Sequence, residues 1–166
     1  MKKNISIILI AVISLFSCRK TAGDNGTVAS CDGLITDTLG TNDSARIYMP
    51  TAFTPNGDGL NDICRPSLKN IDSISFTLYN TNNDVVFTTT SLFESWKPTT
   101  ISSTPVKFYY RIQAVTTGNR KIGICGKLYE LPCLPANMLI DSFKFEDQID
   151  NNGFDLPTGE QLQTCH

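Results

Sequence analysis

The sequence predicts an all-β domain, and three observations carry that expectation. Apolar and polar residues alternate with period two in several short stretches. Turns containing Asn, Gly or Pro separate those stretches. No window keeps an apolar stripe at helical spacing over three turns. The chain has 166 residues, one domain by the usual range of about 100–200 residues each.

Strand signals begin at Arg46, Ile47, Tyr48 and Met49. Ile74, Phe76 and Leu78 alternate with Ser75, Thr77 and Tyr79. An Asn80–Asn83 turn then leads into a second stretch from Asp84 to Thr88, so the pair reads as a hairpin. From Val106 to Val115 the chain alternates again, with Phe108, Tyr110, Ile112 and Ala114 on one face. Thr117, Gly118 and Asn119 turn it into a last stretch ending at Leu131, where Ile122, Ile124 and Leu128 share a parity. Short antiparallel strands of this kind predict an Ig-like antiparallel β-sandwich over residues 46–131. Trp96 is expected between its sheets. Residues 132–166 are expected to form an irregular acidic C-terminal extension.

Charge and composition exclude several functions. The only histidine is His166, which removes Ser-His-Asp and Cys-His nucleophile systems and His-rich metal sites. No basic stripe is available for nucleic acid. The extension holds Asp141, Glu146, Asp147, Asp150, Asp155 and Glu160 against Lys144 alone, and reads as a solvated acidic face. A carboxylate-pair hydrolase using Glu146 and Asp150 is the enzymatic alternative. Nothing in the sequence separates those two from an acidic surface, so a non-enzymatic protein is expected.

The N-terminus reads as an address. Lys2 and Lys3 precede an uncharged apolar run from Ile5 to Phe16, 12 residues long. A bilayer span needs about 20, so residues 1–17 are expected to be a signal peptide. Leu15, Phe16, Ser17 and Cys18 resemble a bacterial lipobox. That resemblance implies cleavage before Cys18 and lipid attachment to it, which anchors the protein to a membrane. Arg19 follows Cys18, where many inner-membrane lipoproteins carry Asp, so the outer membrane is the expected address. Residues 18–45 are small and polar and read as a tether between the lipid and the domain.

Residues 48–66 run Tyr-Met-Pro-Thr-Ala-Phe-Thr-Pro-Asn-Gly-Asp-Gly-Leu-Asn-Asp-Ile-Cys-Arg-Pro. This run resembles the opening of the gliding-motility-associated C-terminal domain, carried by many proteins exported through the type IX secretion system. Its pattern is roughly P-x-A-F-T-P-N-G-D-G-x-N-D-x-F-x-P, and Cys64 stands where Phe is usual. Ile74 to Phe87 and Ile122 to Leu131 resemble the family's hairpin and closing strand. Thr81, Asn82 and Asn83 replace the usual Arg-Trp-Gly. Together with the lipobox, the resemblance implies an envelope lipoprotein whose Ig-like domain binds envelope proteins or extracellular polysaccharide, linked to gliding motility or type IX secretion. The alternative is that the domain acts as a sorting signal for type IX export. The acidic segment after the domain, and the absence of cargo before it, weigh against sorting.

The same run admits two physical readings. Pro55, Asn56, Gly57, Asp58 and Gly59 suit consecutive turns, with Asn61 and Asp62 capping nearby amides. Alternatively, Asn56, Asp58, Asn61 and Asp62 converge oxygens on Ca²⁺. EF-hand spacing is not met, because Arg65 stands where the loop needs Glu. No other cofactor is expected.

Six cysteines without a CxxC motif suit an oxidising compartment. With Cys18 acylated, five remain. Cys64 and Cys125 lie in the first and last strand regions, often neighbours in Ig-like sandwiches, and are the first expected pair. Cys133 and Cys165 would staple the extension, leaving Cys31 free or intermolecular. Other pairings stay open.

Overall fold

The computed structural model describes residues 30–40 and 44–166. Among the described residues seven strands form in chain order: β1 (Arg46–Tyr48), β2 (Ala52–Phe53), β3 (Ser67–Lys69), β4 (Ile71–Tyr79), β5 (Val85–Thr89), β6 (Val106–Thr116) and β7 (Lys121–Glu130). Two single 3₁₀ turns, Ile140–Ser142 and Glu146–Gln148, are the helical elements among the described residues. The protein is all-β, as the alternation predicts.

β1 and β3 pair antiparallel as a two-stranded ribbon. The other five strands form one sheet in the order β2-β7-β6-β4-β5. Its pairs are antiparallel except β2, which runs parallel to β7 through Ala52–Tyr129 and Phe53–Glu130. The hairpin register places Leu78 opposite Phe87, then shifts at Tyr79. Asn80 closes the loop: its Oδ1 accepts the Asn82 and Asp84 amides, both at 2.9 Å. Asn83 takes φ 75° there, a conformation that Asn tolerates better than most residues.

The period-two faces are real. Phe76, Leu78, Ile112 and Leu128 are wholly buried, with Ile74, Phe108, Ala114 and Ile122 beside them. Trp96 joins this core edge-on, 5.0 Å from Phe108 and 5.7 Å from Phe53 between ring centroids. Its backbone forms an antiparallel bridge with Cys64. A smaller core of Ala52, Leu131, Phe143 and Phe145 lies at the β2 edge.

Two expectations about the chain ends need correction. Residues 30–40 do not hang free as part of a tether; they form a strap across the outer face of β6 and β7. Asp37 N donates to the Lys121 carbonyl at 2.9 Å, and Lys121 N returns a bond to Asp37 Oδ2 at 2.8 Å. Gln113 grips Ile35 twice, accepting its amide at 2.8 Å and donating to its carbonyl at 2.9 Å. The rest of the expected tether, residues 18–29 and 41–43, and the signal peptide and Cys18, lie outside the described residues.

The extension is irregular, but it is not merely a solvated acidic face. Phe145 is wholly buried and Phe143 nearly so, and Phe143 packs edge-on to Tyr129 with centroids 5.8 Å apart. Lys144 O, between them, accepts the Thr51 and Ala52 amides. This ties the extension beside β2, the short edge strand. Glu160, counted above with the solvated acids, is only 6% exposed.

The cysteine pairing also differs. Cys133 and Cys165 are bonded, but Cys125 is bonded to Cys31, and Cys64 is free and buried. The reason is which way each side chain faces. Cys64 points into the core beneath the five-stranded sheet. Cys125 shares its parity with Gly123, whose face carries the strap, so a sheet stands between the two sulfurs. Burial raises the Cys64 thiol far above its ordinary pKa, leaving it without nucleophilic thiolate. Iodoacetamide is therefore expected to spare Cys64 in the native protein and label it after denaturation, with peptide mass spectrometry locating the adduct.

Candidate functional site

The loop joining β2 to β3 is held by a dense set of its own hydrogen bonds. Thr54 and Pro55 are buried at its start, and residues 56–59 are exposed at its tip. Gly57 and Gly59 take φ 84° and 91°, which side chains oppose, and Asn61 takes 52°. Alternating Gly with Asn or Asp thus lets the chain reverse twice in a few residues.

The side chains of this loop hold its own backbone. Asn56 Oδ1 accepts the Asp58 amide at 3.0 Å, and Asp58 Oδ1 accepts the Leu60 amide at 2.8 Å. These are two successive Asx turns. Asp58 Oδ2 accepts from Asn56 Nδ2 at 2.9 Å. Asp62 reaches back across the loop, taking the Gly57 amide on Oδ1 at 2.6 Å and the Gly59 amide on Oδ2 at 2.9 Å. The Gly57 bond, with help from Gly59 and Lys97, holds the Asp62 pKa below the ordinary carboxylate value, against a smaller opposing effect of desolvation.

Asn61 does not join them. It is buried and turned towards the C-terminal extension, accepting the Asp147 amide on Oδ1 at 3.0 Å and donating to Glu160 Oε2 at 3.2 Å. Asn56, Asp58, Asn61 and Asp62 therefore do not converge on one point. No group of three or more His, Cys, Asp or Glu side chains among the described residues could hold a metal ion. The hydrogen bonds are those of the turn reading: Asn56, Asp58 and Asp62 hold amides of the loop itself, and Asn61 faces the extension.

Acidification offers a direct check. A carboxylate whose pKa is lower folded than unfolded stabilises the fold above the unfolded value, near 3.9 for Asp. That contribution is lost as pH falls through the lower, folded value. Between pH 5 and 2, the Gly57 and Gly59 amide resonances are expected to shift together with the Asp62 carboxyl. Asp62→Asn should abolish that coupled transition; a wild-type transition persisting in the variant would assign it to another carboxyl.

The loop and the extension border a shallow cleft of about 490 Å³ lined by residues 59–63, Arg65, Glu146 and Asp147. Arg65 and Glu146 close one side through an ion pair of 2.6 Å. Asp147 is engaged with the Thr158 hydroxyl at 3.0 Å and the Gly159 amide at 2.7 Å. Asp150 accepts the Asn152 and Gly153 amides. Glu146 and Asp150, the carboxylates of the enzymatic alternative, are thus occupied with an arginine and a turn.

Sequence reasoning missed Glu160, Arg111 and Gln113. Glu160 accepts from Thr54 Oγ1 as well as Asn61, and its Oε1 is buried without a protein partner. Nothing local distinguishes it from its acidic neighbours. For Arg111 and Gln113 a signal existed. Gly123 and Cys125, opposite them on β7, are small residues on an outward face, as a face covered by other chain requires. A Cβ on Gly123 would come within 2.7 Å of Leu34 Cβ. No family model, no curated protein and no solved structure matches this chain.

Proposed function

We propose that this protein is a non-enzymatic lipoprotein of the outer membrane, anchored through Cys18. Its Ig-like domain, of the gliding-motility-associated type, binds envelope proteins or extracellular polysaccharide. The observation that carries the reading is the run at residues 48–66, a dozen positions of a long and specific pattern in one stretch. Its glycines and acidic side chains are spent on building a turn, which suits a recognition scaffold better than a reaction centre.

The strand order supports the Ig-like part. An Ig-like reading would take β4, β6 and β7 as strands C, F and G, with β5 beside C as C′, and the ribbon of β1 and β3 as A and B. On that reading residues 90–105 stand where further strands would be, and Trp96 packs against the core from there. Two disulfides among the described residues favour an oxidising compartment such as the periplasm or cell surface.

Detergent phase partitioning of wild type and Cys18→Ala tests the anchor. Wild type is expected in the detergent phase and the variant in the aqueous phase. A variant that stays with the membrane overturns the lipoprotein reading. Deleting the type IX channel tests the sorting alternative: accumulation of the protein in the periplasm would favour that alternative over a resident envelope role.

A further inference from the structure

We infer that the two disulfides form a force path between residues 31 and 165 that bypasses almost the whole fold, so that tension applied between those residues does not unfold it. The physiological direction of that tension rests on the lipid-anchor reading above; the path itself rests on covalent connectivity.

Tension arriving from before residue 31 meets the Cys31–Cys125 bond first. The strap beyond Cys31 is held by paired hydrogen bonds at Ile35, Thr36 and Asp37, mostly at exposed sites, and by Leu39 packed against the core, with no covalent link of its own. The bond removes the strap from the path and delivers tension to β7, an inner strand paired with β6 along its length. The outer face is shaped for this junction. Arg111 stands directly opposite Cys125 in the β6–β7 register. Its guanidinium donates from Nη1 to the Ser30 carbonyl at 2.5 Å and from Nη2 to the Asp32 carbonyl at 2.6 Å, gripping the residues on both sides of Cys31.

From Cys125 the chain runs only to Cys133 before the second bond carries it to Cys165. Tension between residues 31 and 165 therefore crosses residues 125–133 and two cystines. The segments of 94 and 32 residues closed by the bonds lie off the path. The stretch that can extend is at most about 3 nm, at roughly 3.6 Å per residue. Opened, the two segments would add about 34 nm and 11 nm by the same measure.

The test is single-molecule force spectroscopy on the full chain in detergent micelles, held through tags on both ends, with and without a phosphine reductant. Between residues 31 and 165 the oxidised protein is expected to lengthen by no more than about 4 nm, and the reduced protein by steps totalling about 45 nm. Oxidised protein that lengthens between those residues by more than 10 nm below covalent-rupture forces overturns the inference. So does a peptide map of the oxidised protein lacking the Cys31–Cys125 bond. Neither readout depends on lipid at Cys18, so failure here and failure of the anchor reading are separable.

Discussion

Replacing Cys31 and Cys125 together by serine is expected to lower the unfolding free energy by about 4–5 kcal/mol, the figure that loop closure gives for a bond spanning 94 residues. The same replacement at Cys133 and Cys165, which span 32, is expected to cost about 3–4 kcal/mol. Urea unfolding followed through Trp96, the only tryptophan, reports both. A domain of this size has about 5–15 kcal/mol in total, so either loss is a large fraction. The native-state consequences differ too. Without its bond, the strap keeps the packing of Leu39 and the hydrogen bonds of Arg111, Gln113, Thr36 and Asp37, each bond with a net contribution of about 1 kcal/mol or less. Amide exchange at residues 34–37 should then quicken ahead of global unfolding. A double-serine variant as stable as wild type would show that the strap constrains neither the folded nor the unfolded chain.

What the sequence made legible follows from how local each interaction is. β4 to β7 are visible because alternation is written in neighbouring residues, and because Asn80–Asp84 and Thr116–Lys121 carry their own turn chemistry. β2 is not visible: two residues pair with a strand more than seventy positions away, and no local pattern encodes a parallel pairing of that length. The strap was invisible for a similar reason. Residues 30–40 are mostly small and polar, their aliphatic Leu34, Ile35 and Leu39 keep no strand or helix period, and their order comes from side chains of β6 and from a cystine.

The candidate site divides along the same line. The turn chemistry at Gly57 and Gly59 was legible because Asn56, Asp58 and Asp62 act within five residues. The direction of Asn61 was not, since it is set by Asp147 and Glu160. The cysteine error has a geometric cause. Chain position suggested that Cys64 and Cys125 were neighbours, whereas contact depends on which face of the sheet each occupies.

Phe145→Ala is expected to cost about 3–5 kcal/mol, the usual range for removing a wholly buried aromatic ring. The residue sits in a segment that composition alone marks as a solvated acidic tail. Its ring nonetheless belongs to the small core with Ala52, Leu131 and Phe143. Losing it leaves a cavity, because Leu131 and Ala52 are fixed by β7 and β2 and cannot collapse to fill it. The damage should spread along the extension. Phe145 N donates to Gln148 Oε1 at 2.9 Å, which closes the 3₁₀ turn beside it, and Gln148 in turn holds the Leu156 carbonyl through Nε2 at 3.2 Å. Beyond that turn, the Asp147 amide sits on Asn61 and Glu160 sits between Thr54 and Asn61. Loosening the extension should therefore loosen the β2–β3 loop, 80 or more residues away in sequence. Urea unfolding measures the stability loss, and amide exchange at Gly57 and Gly59 measures the coupling. Stability that falls while the loop amides exchange as in wild type would mean that the loop stands on its own Asx turns, with Asn61 and Glu160 adding nothing to it.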